Sequence, residues 1–390
     1  MVPKGWSSWI LSDICRKQIS YGIVQTGDNL PNGIPCLRVV DLTRDVMRLE
    51  DMIKTSEETN KAYRKTILEK DEIVMALRGE IGLARLIDDN LVGANITRGL
   101  ARISPETKVV LPEFLLWELR SPQFRADLIR RVGGSALQEI SLTELRKVRT
   151  LLPPLLEQKK IAQILSTWDK AISVTEKLLA NSQRQKKALM QQLLTGNKRL
   201  LDENGVRFNG KWEKKLLSDV ADVYQPKTIS QSMMSDSGYP VYGANGVIGF
   251  YQEFNHETEQ IAVTCRGSTC GIVNWTQAKS WITGNAMVIN TDNYSYVSKK
   301  FLFYTLNGSD LKYLISGSGQ PQITGNIKTH IINLPCIEEQ QKIATVLSAA
   351  DAEIYTLEKK LACLRDEKKA LMQQLLTGKR RVKMDEAVAA

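Results

Sequence analysis

The eleven residues KKALMQQLLTG occur twice, at 186–196 and at 368–378. A self-match of this length dictates architecture before any local propensity is considered. Extended upstream, it becomes an ungapped alignment of 152–196 with 334–378, in which 26 of 45 positions are identical. Fainter matches precede it. LSDI at 11–14 answers LSDV at 217–220, ALRGEIG at 76–82 answers TCRGSTCG at 264–271, ITRGLARI at 96–103 answers ITGNAMVI at 282–289, and EFLLWEL at 113–119 answers KFLFYTL at 300–306. The 390-residue chain is therefore one unit used twice: a divergent globular part, then a closely repeated helical part.

The helical parts carry a 3.5-residue apolar period. Ile161, Leu165, Trp168, Ile172, Thr175, Leu179, Ser182, Lys186, Leu189 and Leu193 form the first seam, with Ile343, Leu347, Ala350, Ile354, Leu357, Leu361, Leu364, Lys368, Leu371 and Leu375 at the same steps in the second. Such a seam asks for a partner helix. No Pro or Gly interrupts either run before Gly196 and Gly378, which are natural helix stops. About 40 residues at ~1.5 Å each gives helices of ~60 Å. Burial of one seam against the other, with equivalent surfaces meeting through a pseudo-twofold, predicts an intramolecular antiparallel coiled coil with the globular parts at opposite ends. A parallel or intermolecular pairing is the rival.

The globular parts read as α/β (α+β). Strand-like runs are EIVMALR, GLARLI and GLARIS in the first, and QIAVTCR, GIVNW and AMVIN in the second. Each part has one helix candidate, 112–131 and 298–316, and a Gly-rich loop, 133–141 and 317–324. The polar stretch 197–213 reads as a linker. The expected layout is a first domain over 1–151, a helical region over 152–198, linker and second domain over 199–333, a second helical region over 334–380, and a tail over 381–390.

Composition narrows the functions. The net charge of +10 suits a polyanion partner such as nucleic acid. No apolar run reaches the ~18 residues of a membrane span, and the start lacks a secretory pattern, so a cytoplasmic protein is expected. The six cysteines include no C-x-x-C pair and only His256 and His330 could add imidazole, so no structural metal is expected. GVRFNGKW at 205–212 falls one residue short of a phosphate-binding loop and follows a polar linker instead of a strand. Adjacent Asp71 and Glu72 would point to opposite faces of a strand, and read as solvated turn residues instead of a nuclease pair. Neither half carries a catalytic constellation that the other repeats.

On the repeated LPPLLEQKKIAQIL and LPCIEEQQKIATVL and the twin KKALMQQLLTG, the chain resembles the specificity subunit of type I restriction–modification systems. YPVYGANGVIGFY at 239–251, CRGSTCG at 265–271 and WITGNAMVI at 281–289 are similar to segments of that family's target recognition domains. The resemblance implies two such domains, each reading half of a split DNA target from the major groove. It implies paired helices that space them and dock two methyltransferase subunits, with restriction subunits joining. S-adenosylmethionine, ATP and Mg would belong to those partners, and this chain would bind no cofactor and catalyse nothing. The rival functions are an autonomous nuclease or methyltransferase and a coiled-coil scaffold without sequence preference.

Candidate DNA contacts are cations and amides at strand ends and Gly-flanked loops, where backbone approaches a duplex. Arg suits guanine and Asn or Gln suits adenine, while most Lys and Arg contacts position the protein on phosphate. They are Lys17, Gln25, Arg78, Arg98 and Gln138 in the first domain, and Lys227, Asn245, Arg266, Asn285, Gln320 and Gln322 in the second. Off the seam, Lys187, Gln191, Gln192, Lys369, Gln373 and Gln374 are candidates for partner binding. If the helices set the gap in a split target, one heptad added to both should lengthen it by ~10 Å, near three base pairs at ~3.4 Å each. Sequencing of the methylated motif checks this; an unchanged gap refutes the ruler.

Overall fold

The computed structural model describes residues 2–133, 138–243, 245–317 and 320–383. Parts of both Gly-rich loops (134–137 and 318–319) and residues 384–390 of the tail lie outside the described residues. Two compact units emerge, Met1–Thr175 with Lys360–Ala390, and Glu176–Lys359. Each long helix, Leu155–Leu193 and Ile337–Leu375, is therefore divided between them.

The first unit's strands are β1 (Ser7–Ile10), β2 (Cys15–Tyr21), β3 (Ile34–Leu37), β4 (Ile53–Thr55), β5 (Ile73–Ala76), β6 (Ala84–Leu86), β7 (Asn95–Ile96), β8 (Leu100–Pro105) and β9 (Arg149–Leu152). They form sheets β2-β8-β5-β6, β4-β3-β7 and β1-β9. The second unit's strands are β10 (Glu213–Leu216), β11 (Asp222–Tyr224), β12 (Tyr239–Gly243), β13 (Gly246–Tyr251), β14 (Ile261–Thr264), β15 (Val273–Trp275), β16 (Trp281–Ile282), β17 (Ala286–Asn290) and β18 (Ile331–Leu334). Their sheets, β11-β17-β14-β15, β13-β12-β16 and β10-β18, repeat the first pattern. The register repeats as well, with Ile73 opposite Ile103 and Ile261 opposite Ile289.

All six strand-like runs contain a strand, but the helix candidates are shorter than expected. The first is two helices, Pro112–Leu119 and Pro122–Arg130, because Ser121 turns extended before Pro122 and its hydroxyl caps Phe124 N. The second is Lys299–Gly308 followed by a 3₁₀ turn at Lys312–Leu314. Glu72, expected in a solvated turn, is instead fully buried: it accepts from the Ser104 hydroxyl and Glu69 N and faces Lys17 and Arg102. Asp71 does occupy a turn, at φ 64°.

Each helix has 39 residues, about 58 Å at 1.5 Å per residue. Every seam residue is buried or half-buried. In the first unit Ile161 and Leu165, near one helix start, share a core with Leu371, Met372, Leu375 and Leu376, near the other helix end. In the second unit Leu189, Met190, Leu193 and Leu194 pack with Ile343, Ala344 and Leu347. Start meets end in each unit, so the pairing is antiparallel. The seam lysines are paired: Lys368 with Asp169 and over the Trp117 ring, Lys186 with Asp351 and over Tyr304.

The joint between helix and domain is polar, buried and duplicated. Glu157 accepts from Trp6 Nε1 at 3.2 Å and from Arg381 at 2.7 Å through both Nε and Nη2. Glu339 accepts from Trp212 Nε1 at 3.2 Å and from Arg199 at 2.5 and 2.6 Å. The next residue closes the joint. Gln158 accepts from Leu111 N and donates to the Val109 and Pro153 carbonyls; Gln340 accepts from Ser298 N and donates to those of Tyr296 and Pro335. The helix stops feed these arginines. Gly196 (φ 72°) and Gly378 (φ 67°) take the left-handed turn, with Lys198 N bonded to Gln192 O and Arg380 N to Gln374 O. A side chain at Gly378 would meet Pro3 Cγ at 2.4 Å.

Two predictions concern this framework. Arg199→Ala strands the Glu339 carboxylate, 0% exposed, and should cost on the order of 3 kcal/mol. Arg381→Ala should cost less, because Arg381 is 46% exposed and water takes its place. Urea denaturation ranks the two; the reverse order would remove the clasp from its central role. Burial also pushes the Glu118 carboxyl, beside Trp117, up to about 8. The folded state then holds a proton that the unfolded state releases near 4.5, so stability should fall as pH rises through that window, by at most ~1.4 kcal/mol per pH unit. Glu118→Gln should flatten the profile, as thermal melts across that range would show.

Candidate nucleic-acid interface

The two RG turns are built on the same hydrogen bonds. In the first unit β5 ends in a turn closed by Ala76 N to Leu83 O and Gly82 N to Ala76 O, both 2.9 Å. Leu77 N donates to Gly99 O and Ile140 N to Leu77 O. In the second unit the matching bonds are Thr264 N to Ile272 O, Gly271 N to Thr264 O, Cys265 N to Asn285 O and Ile323 N to Cys265 O. A bridge then joins each arginine to its Gly-rich loop, Arg78 with Glu139 and Arg266 with Gln322. Each loop is pinched by one further pair, Gly133 with Glu139 and Ser316 with Gln322. Gly79 and Gly267, at φ 67° and 85°, let the chain reverse directly after the arginine.

This skeleton gathers most of the candidate residues. In the first unit Arg78 lies over Gly99, where an added Cβ would sit 3.2 Å from its Nε, so Arg98 is adjoining. Exposed Gln138 precedes the bridged Glu139. Arg98 N donates to Ile23 O at 2.8 Å, which brings the exposed Gln25 segment alongside. Gly22 makes that approach possible, since any side chain there would collide with Ile96 O. In the second unit Arg266, Asn285, Gln320 and Gln322 share the turn, and all but half-buried Asn285 are exposed. Lys227 comes beside them because the 226–228 segment touches Gly284, and its carbonyl accepts from Trp281 Nε1. Asn245 is exposed at the tip of the β12–β13 hairpin. Among the described residues, no carboxylate lies within ion-pair distance of Arg78, Arg98 or Arg266, so their charge is available to a ligand.

Lys17 differs. It sits toward the opposite end of β2 from the Arg98 turn, with its ammonium on Glu69 and Glu72. Sequence reasoning missed Gln225, whose amide donates to Gly284 O and Cys265 Sγ and so props the Arg266 turn from below. Burial beneath the turn raises the Cys265 thiol, opposed by neighbouring Arg266. Nothing in YQPK at 224–227 signalled that role, because the contact closes across 59 residues.

The six helix candidates, Lys187, Gln191, Gln192, Lys369, Gln373 and Gln374, are all exposed. Lys187 and Gln191 line a groove of about 690 Å³ in the second unit, with Met190, Leu194 and Ile331. Gln374 lines another of about 760 Å³ in the first unit, with Trp168, Leu371 and Val382. The two grooves use different faces of the helix ends.

A family model described as the type I restriction modification DNA specificity domain matches residues 3–181 and 209–363. The chain is 32% identical over 165 residues to the type I restriction enzyme EcoBI specificity subunit of Escherichia coli, covering 42% of this chain and 35% of that protein. It is 26% identical to the MjaX specificity subunit of Methanocaldococcus jannaschii, covering 98% of this chain and 95% of that one. The crystal structure of a type I restriction–modification S subunit from M. genitalium shares the fold at TM-score 0.66 and 16% identity, over 98% of this chain and 97% of the other. An HsdS subunit from Thermoanaerobacter tengcongensis shares it at TM-score 0.52 and 17% identity, over 97% and 98%.

Proposed function

The chain belongs to the type I restriction–modification DNA specificity family, and on that premise we propose that each of its two domains reads one half of a split duplex target through its RG turn. As a specificity subunit it is not an enzyme. The observation that carries the proposal is the matched pair of turns: one backbone skeleton in both units, each with an arginine that has no carboxylate partner among the described residues and with amides that differ between the units. In this reading Arg78 and Arg266 contact guanine, and Gln138, Gln320, Gln322 and Asn285 contact adenine or phosphate. Gln25, Arg98, Lys227 and Asn245 flank those turns and extend the contact.

The paired helices space the domains and present Lys187, Gln191 and Gln192, and again Lys369, Gln373 and Gln374, to two methyltransferase subunits. S-adenosylmethionine, ATP and Mg are handled by those subunits and by the restriction subunits, in the cytoplasm where host DNA lies. No helix among the described residues is long and apolar enough to cross a membrane.

The test is the host methylome with the gene intact, deleted and mutated. Deletion should erase N6-methyladenine at one split motif. Arg78→Ala and Arg266→Ala should each relax a different half of it, at ~1–3 kcal/mol per lost base contact. Loss of both halves by either variant, or no motif lost on deletion, would refute the assignment.

A further inference from the structure

A second cationic feature lies in the first unit, away from the Arg78 turn. Lys17, Gln18, Ser20, Arg64, Lys65 and Arg102 line a depression of about 490 Å³. It continues past Tyr21 and Tyr63 through a hollow of about 290 Å³, then past Val24 to Gln25 through one of about 480 Å³. Consecutive hollows share lining residues, so they form one groove along 17–25 and 58–66. At ~3.3 Å per residue, Lys17 to Gln25 spans at most ~26 Å. Its far end adjoins Arg98, because Arg98 N bonds Ile23 O.

The near end is built for an anion. Five cations converge there, Arg16, Lys17, Arg64, Lys65 and Arg102, against two carboxylates, Glu69 and Glu72. Arg102 is 4% exposed, its Nε has no hydrogen-bond partner, and its contact with Glu72 is a loose 3.8 Å. Arg102 lines the depression, and with one guanidinium donor unmatched its charge is only partly compensated by protein groups. Arg64 and Lys65 are exposed at its rim, and neither forms an ion pair among the described residues.

The fold does not require these charges. The second unit has the same strand register, yet Val288 stands where Arg102 does, Gln260 in place of Glu72 and Asn290 in place of Ser104. Arg64 and Lys65 fall in the stretch before the RG turn where the first copy is longer: the offset between copies drops from 206 at Leu11 and Leu217 to 188 at Arg78 and Arg266.

We propose that this groove binds phosphate groups, specifically those of the DNA backbone beside the half-site that the first domain reads, a contact that the second domain does not repeat at the equivalent strand positions. The inference rests on the DNA-reading function above. Because phosphate contacts carry no base information, the groove adds affinity and salt dependence without changing the motif.

The test uses the full chain and two labelled duplexes, with and without the methylated motif, each titrated over a range of salt. Arg64→Ala/Lys65→Ala should reduce the slope of log affinity against log salt by ~1–2, since each phosphate contact contributes ~0.9. Lys159→Ala/Lys170→Ala, an equal charge change on the first long helix, should leave it unaltered, and the methylated motif should be unchanged. An unaltered slope in the Arg64/Lys65 variant overturns the proposal. So does saturable stabilisation by inorganic phosphate that the variant loses while its DNA slope stays at the wild-type value, which would mark a small-anion site. A wild-type chain with no sequence preference at all would instead overturn the DNA-reading function.

Discussion

A buried glutamate at the start of each long helix fixes the rest of the molecule. Glu157 and Glu339 each sit in the first turn of a long helix, Glu339 wholly buried and Glu157 nearly so, with its arginine partner open to solvent. Burial of a carboxylate is tolerated only when donors meet its oxygens, and here a guanidinium and an indole N–H do so. Those donors come from a helix end and from the strand entering the domain, so one carboxylate ties three segments distant in sequence. The neighbouring glutamine satisfies its amide completely against backbone groups of the same domain. A polar network that meets every oxygen of the carboxylate and the amide holds the helix start against its domain.

The duplicated eleven residues follow largely from this joint. Lys186 and Lys368 neutralise Asp351 and Asp169 and lie on aromatic rings; Leu189, Leu193, Leu371 and Leu375 fill the seam. Gly196 and Gly378 turn the chain so that Arg199 and Arg381 return to the buried carboxylates. Lys187, Gln191, Gln192 and their counterparts are exposed, and among the described residues their side chains take no part in the joint or the seam. Their repetition on the exposed face is what packing leaves unexplained and what two equivalent partners would explain.

Legibility followed the range of the interaction. The heptad seam, the helix stops and the strands were visible because period and punctuation are local, and they placed the antiparallel pairing correctly. The break at Ser121 was missed because the apolar pattern on either side runs on through Pro122. Glu72 was misplaced because its solvation depends on Ser104 and Arg102, about 30 residues away. The RG turns were found through their glycines, whereas Gln225, the support beneath one of them, has no local mark. Arg64 and Lys65 escaped notice for the same reason: a groove appears only when two separated segments are laid side by side.

The contrast between the two units separates framework from chemistry. Hydrogen bonds that shape the turns are main-chain to main-chain, so they tolerate many changes of side chain away from Gly79 and Gly267. Glu139 opposite Gln322, Glu72 opposite Gln260 and Arg102 opposite Val288 show how far the side chains have diverged on that frame. A scaffold held by backbone bonds and anchored through a buried joint lets the reading surface vary without disturbing the helices. The helices cannot vary in the same way, because the joint fixes the residues at their ends. That difference in constraint, within one chain and over one duplication, is why the recognition domains diverged while the helix ends stayed letter for letter the same.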